Sequence, residues 1–255
     1  MSIRRLITHP DIARRLSMFA AVACIGAALV AGHVSARPTV QASTPAVPGL
    51  TVVELFTSQG CSACPPANAN LASLARRPDV LALSFGVTYW DQLGWPDTFA
   101  SPAFTARQRA YQAGLANDNV WTPQVVVDGR ADVVSQDIRQ IETLITAHRA
   151  FAGPAVAFRQ VRDRKAVGLA GGSVTGHADV WLIRYDPRVV EVPVRRGENG
   201  GRTLPHANVV RDLVRLGDWQ GQTVGFALPA GASDLATAVI VQRPNGGPII
   251  AAARL

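Results

Sequence analysis

The chain has 255 residues, 48% of them apolar, which is length and hydrophobic content enough for a substantial core and excludes both a disordered chain and a disulfide-stapled miniprotein. The formal charge is +7, carried almost wholly by arginine, since Lys165 is the only lysine. Such a balance raises nucleic-acid binding as a question, and the placement of the charge answers it.

Arg4, Arg5, Arg14 and Arg15 precede an almost uncharged stretch from Ser17 to Val34, and Val34-Ser35-Ala36 supplies small residues where a signal peptidase cuts. Residues 1–36 therefore read as an export signal, and the expected location is periplasmic or secreted. Contact with a membrane follows only if the signal stays uncleaved, as an anchor at the lower edge of spanning length. Removing this segment lowers the charge from +7 to +4 and takes Cys24 with it, leaving Cys61 and Cys64. The remaining arginines are scattered, without dense runs or basic-aromatic interleaving, so no nucleic-acid partner is expected. Residues 37–49, rich in Pro, Ser, Thr and Ala, read as a linker.

Thr51 to Thr57 is a β-branched and aromatic run, expected as a buried strand. Ser58 to Pro66 (S-Q-G-C-S-A-C-P-P) leads into an Ala/Leu-rich helix through Arg76, which Pro78 ends. Val80 to Val87 is the next strand. Ser101-Pro102 has the form of a capped helix start, with Phe104, Gln108, Tyr111 and Leu115 along one stripe. Pro123 to Asp128 and Ala131 to Val134 read as a hairpin across Asp128-Gly129-Arg130, and Ser135 is placed to cap a helix carrying Ile138, Ile141, Leu144 and Ile145. This order, β-α-β-α-β-β-α, is that of a thioredoxin-like α/β core spanning 50–152. Residues 153–255 turn to short alternating runs between Gly and Pro clusters, expected as a β-rich C-terminal extension, with Asn208 to Leu216 as one short helix and a terminal hairpin at Asn245-Gly246-Gly247.

Two cysteines three apart at a helix start can close a small disulfide loop, and the helix N-terminus favours a thiolate on the first. Cys61 is then the nucleophile and Cys64 the resolving thiol of a redox pair acting on protein or small-molecule thiols and disulfides, with no organic cofactor. The alternatives are a structural disulfide and a non-catalytic binding protein or copper carrier with Cys61 and Cys64 as metal ligands; zinc lacks a second ligand pair. Glu54, a carboxylate inside a buried strand, is a candidate proton relay for Cys64 or a satisfied structural acid. Trp90 and Asp91, in the loop after the second strand, fall on the same sheet edge as Cys61 and are candidates for a substrate rim, against plain packing of the loop. A proline directly before a strand, Pro123, needs an open edge or a cis bond.

The segments V-V-E-L-F-T-S-Q-G-C-S-A-C-P-P, Y-W-D-Q-L-G-W-P-D-T-F-A-S-P-A-F, T-P-Q-V-V-V-D-G and R-R-G-E-N-G-G-R-T-L-P-H-A-N-V-V-R resemble a family of secreted bacterial thioredoxin-like proteins catalogued as a domain of unknown function. The resemblance covers residues 50 to 255. It implies a redox pair on Cys61 and Cys64 and a cis-proline at Pro123, with Thr122 presenting its backbone to substrate. Arg196 to Arg202 and His206 are expected as a tight turn, or as a second polar site brought beside the cysteines.

Overall fold

A computed structural model describes residues 49–134, 136–148 and 153–255. The expected signal, Cys24, most of the linker and the Ser135 cap lie outside the described residues. The fold is mixed α/β, with one large mixed sheet and few helices.

Strand β1 (Thr51–Thr57) runs parallel to β2 (Val80–Gly86) and antiparallel to β3 (Gln124–Val127), which continues into β4 (Ala131–Val133). All seven residues of β1 are buried because both of its faces are covered. Val53 and Leu55 face Ala67, Leu71 and Leu74 of helix α1 (Cys64–Leu74) and Ile141 and Ile145 of helix α3 (Ile138–Ala147). Val52 and Phe56 face the other way, toward Phe104 and Tyr111 of helix α2 (Pro102–Gly114). Two-sided burial explains why apolar residues take both faces of the strand, with Glu54 its one charged member, where a strand exposed on one side would alternate.

Proline and cap residues set the helix starts. Pro65 and Pro66 occupy the first turn of α1, where their missing N–H groups cost nothing. Ser101 Oγ accepts from Ala103 N at 3.3 Å at the start of α2, and Asp137 caps α3 by accepting from Arg139 N at 3.0 Å.

Beyond residue 153 the chain is built of strands: β5 (Val156–Val161), β6 (Arg164–Leu169), β7 (Ala178–Pro193), β8 (Thr203–Trp219), β9 (Val224–Ala227), β10 (Ala236–Gln242) and β11 (Ile249–Arg254). Strands β5, β6 and β9 form a separate three-stranded sheet. The others join the first sheet in the order β11-β10-β7-β8-β2-β1-β3-β4, so strands from both stretches of the chain share eight places in one sheet. The seam is short: Ser84 pairs with Val209, and Asn208 Nδ2 donates to Ala82 O at 2.8 Å.

The short helix expected over Asn208 to Leu216 is instead the middle of β8. Val209, Val210, Leu213 and Val214 have helix-like spacing, yet β8 pairs with β7 on one edge and meets β2 on the other. Register shifts at Val180/Trp181, Arg184/Tyr185 and Asp186/Val189 break the alternation that marks a strand. The expected terminal hairpin forms between β10 and β11. Gly246 sits there at φ +70°, and a Cβ on it would collide with Ala110 O, so only glycine lets this turn press on α2.

Candidate functional site

The turn from β1 into α1 carries Cys61 and Cys64. Cys61 N donates to Ser58 O and Cys64 N to Cys61 O, each at 3.2 Å, which folds the segment tightly into the first turn of α1. Both cysteines are free, with Sγ atoms 2.6 Å apart and exposures of only 1% and 0%.

Their electrostatics differ sharply. The hydrogen bond from Cys64, helped by Thr122 and by the amides of Ala63 and Cys64, outweighs burial and holds the Cys61 thiol down at about 7. Cys64 moves the opposite way, raised far above the ordinary thiol range by burial first and by the adjacent Cys61 second. One thiol is set to ionise near neutrality and its neighbour is set to keep its proton.

The Thr122–Pro123 peptide bond is cis, as the family resemblance implied, and the Cys61 thiol points at Thr122 O at 3.8 Å. Tyr89, which the sequence did not single out, completes this side. Burial pushes its hydroxyl up to about 12, against Gln108 and Thr122, and it senses both cysteines. Tyr89 Oη, Thr122 Oγ1 and Gln108 Oε1 are buried without a well-aligned partner.

The loop after β2 packs on Ser58 to Gly60. Trp90 Cβ lies 3.6 Å from where a Gly60 Cβ would stand, so Trp90 does border the turn. Asp91 reaches it only indirectly: its Oδ1 accepts from Asp97 N at 3.0 Å, and Asp97 Oδ2 accepts from Gln59 N at 2.7 Å. Burial pushes the Asp97 carboxyl up to about 6. Trp95 Nε1 donates to Gln59 Oε1 at 2.9 Å.

Glu54 is not brought to the cysteines. Strand alternation turns Thr57 toward α1, where its hydroxyl donates to Asn68 Oδ1 at 3.0 Å, and turns Glu54 to the opposite face. There Arg107 Nε and Nη2 donate to the two Glu54 oxygens at 2.6 and 3.0 Å, and the Tyr111 hydroxyl donates to Oε2. Gln242 of β10 closes the cluster, accepting from Arg107 Nη2 at 3.0 Å and donating to Tyr111 Oη at 3.1 Å. Burial works against the Arg107 charge, but Glu54 more than offsets it and holds the guanidinium above its ordinary value. The Glu54 carboxylate is thus held by Arg107 and Tyr111, as a satisfied structural acid would be, and among the described residues it makes no hydrogen bond to Cys64 through which the expected relay could run.

The loop between β7 and β8 covers the outer side of the turn. Asn199 Nδ2 donates to Gln59 O at 3.0 Å and to Cys61 O at 2.8 Å, and Glu198 Oε2 accepts from Ser62 N at 2.9 Å. Arg202 enters through Asn199, donating to its Oδ1 at 2.8 Å. His206 is not part of this contact; it lies edge-on to Phe99, ring centroids 5.5 Å apart, and burial lowers it to about 4.

Elsewhere among the described residues, His177, Asp179 and Asp218 cluster as potential metal ligands, but Arg215 already bridges the two carboxylates.

The sequence matches a known family. The model of a protein family of unknown function, DUF1223, matches residues 52–242, and the chain belongs to that family. It is similar to the crystal structure of protein AGR_C_4864 from Agrobacterium tumefaciens, with 32% identity and a TM-score of 0.70 over 83% of this chain and 95% of that one. It also shares its fold with HBP35 of Porphyromonas gingivalis, at 15% identity and a TM-score of 0.51 over 83% of this chain and 76% of that one. No curated protein matches.

Proposed function

We propose that the protein is an exported thiol–disulfide oxidoreductase, periplasmic or secreted, built on a thioredoxin-like core with a β-rich C-terminal extension. The four strands ordered β2-β1-β3-β4, with α1 following the first cysteine, support that core. The observation that carries the activity is the opposed setting of two touching sulfurs, Cys61 held near neutrality and Cys64 kept protonated.

In the reductive direction the Cys61 thiolate attacks one sulfur of a substrate disulfide. A mixed disulfide to Cys61 forms and the first substrate thiolate leaves. Cys64 then attacks Cys61 Sγ, its proton passing to the departing second thiolate, so the substrate gains two electrons and the Cys61–Cys64 pair loses them. The oxidative direction is the reverse. Substrates are protein or small-molecule thiols and disulfides, and Thr122, beside the reacting sulfur, is the backbone group placed to hold them.

The test is trapping. Cys64→Ser in a periplasmic extract is expected to accumulate mixed disulfides through Cys61 that dithiothreitol releases, and Cys61→Ser to accumulate none. Equal capture by both variants, or by neither, overturns the assignment.

A further inference from the structure

The β7–β8 connection does more than close a hairpin. Closure is already provided by backbone bonds, Val194 N to Arg202 O at 2.9 Å and Gly201 N to Val194 O at 2.8 Å. The Asn199 side chain gives no donor bond to it, although its Oδ1 accepts from Arg202 Nη1 within the loop. It is fully buried, at 0% exposure, and both of its donor bonds go to a turn about 140 residues away in the chain. Gly197 brings the loop close at φ +78°, where a Cβ would stand 3.4 Å from Trp95 Cβ, and Trp95 in turn holds Gln59.

We propose that Asn199 is a positioning residue of the Cys61 centre and Glu198 its charge-setting neighbour, so that the β7–β8 loop belongs to the reactive site. This rests on the thiol reading given above. Cys61 O receives two donors, Cys64 N and Asn199 Nδ2, and together they fix the peptide on which the sulfur hangs. In that setting the amides of Ala63 and Cys64 face the sulfur, and a thiolate needs those donors. Losing Asn199 loosens the Cys61 peptide, taking one of two donors from Cys61 O and the Asn199 donor from Gln59 O. Glu198 acts in the other direction, because its carboxylate sits on the amide next to Cys61, where negative charge opposes a thiolate. The two residues thus have opposite expected signs, which simple loss of packing would not produce.

The experiment follows alkylation of Cys61 by iodoacetamide across pH in the reduced full chain, read by peptide mass spectrometry so that Cys61 is measured by itself. At pH 6 Asn199→Ala is expected to lose roughly ten-fold in rate, a midpoint moved up by about one unit. Glu198→Gln, which keeps an oxygen acceptor for Ser62 N and removes only the charge, is expected to gain about two-fold at low ionic strength. A lower melting temperature in N199A with an unmoved Cys61 profile overturns the positioning role, as does a profile unmoved in both variants. Should N199A fail to fold, E198Q decides: a gain at pH 6 upholds the loop's place in the site, and no gain overturns it. Failure of the parent reading looks different, since the pH midpoint of wild-type Cys61 alkylation would then lie no lower than in the urea-unfolded chain.

Discussion

Strand β1 separates two buried polar clusters whose chemistry differs. On the α2 face, Glu54, Arg107, Tyr111 and Gln242 satisfy one another: a carboxylate meets a guanidinium through two bonds, and both hydroxyl and amide find partners. At the turn from β1 into α1, two thiols touch with no countercharge among the described residues, near the Tyr89 and Thr122 hydroxyls and the Gln108 amide oxygen, which lack aligned partners. Complete pairing locks a buried group in one state, whereas incomplete pairing leaves it able to change state. The first cluster ties β1, α2 and β10 together, and the second keeps a group ready to react.

The largest effect should come from breaking the paired cluster. Arg107→Met strands the Glu54 carboxylate in the core and is expected to lower unfolding stability by about 3–5 kcal/mol in urea denaturation. Adding Glu54→Leu should recover part of that loss, because it removes the stranded carboxylate and leaves the Tyr111 hydroxyl and the Gln242 amide to pair with each other. In the folded double variant the Cys61 alkylation profile should match wild type. A shifted profile would show that the two faces communicate and would end the division drawn between them.

His206, in β8, is a third case, a buried group without a partner that burial alone keeps uncharged. It is buried and its Nε2 has no partner, so only the neutral form is tolerated, and burial lowers it from 6.5 to about 4. A folded-state value below the unfolded one means that its contribution to stability is present above pH 6.5 and is lost as pH falls toward 4. His206→Leu should not suffer that loss. The gap between wild type and variant in unfolding free energy should therefore move by on the order of 3 kcal/mol in the variant's favour across this window. A gap that stays constant with pH would show that His206 does not titrate as a buried, unpaired group.

Residues 50–147 were readable because punctuation marks each element: Pro65-Pro66, Pro78, Ser101-Pro102 and Asp128-Gly129 fall at boundaries, and their effects are local. β8 was not, since the repeated register shifts against β7 break its alternation and leave a helix-like spacing over Asn208 to Leu216. The Cys61–Cys64 pair is legible by its spacing, and its surroundings only in part: the cis bond at Pro123 was implied by the resemblance, and a polar site beside the cysteines was one of two expectations for Arg196 to Arg202. Asn199 and Glu198 reach it from 138 and 136 residues away, and the only trace in the sequence is a Gly/Asn-rich segment richer in polar groups than a turn requires. Glu54 was legible as a buried acid but not by role, because Arg107 lies 53 residues downstream and the strand's parity decides which face the acid takes.

The two thiols supply a further measurement. Cys61 alkylation in the reduced protein should reach half its maximum near pH 7, while Cys64 stays protected through pH 9. Because the Cys61 value is lowered from 9.0, its contribution to the stability of the reduced protein is present above pH 9 and is lost as pH falls through 7. Two thiols titrating together near pH 9 would remove the asymmetry on which the contrast with the Glu54 cluster depends.

The smallest effect is the most discriminating. Thr122 Oγ1 is buried without an aligned partner, yet Thr122 helps hold Cys61 low. Thr122→Val replaces it with a near-isosteric apolar group, and removing an unsatisfied hydroxyl should leave stability unchanged or slightly higher. Cys61 reactivity at pH 6 should nevertheless fall by about two-fold, since the thiolate loses a neighbouring dipole. On the Glu54 face, deletion of a polar group lowers stability and spares reactivity; here the expected pattern is inverted. Loss of stability in T122V with an unchanged Cys61 profile would place Thr122 with the structural cluster and erase the distinction between the two faces.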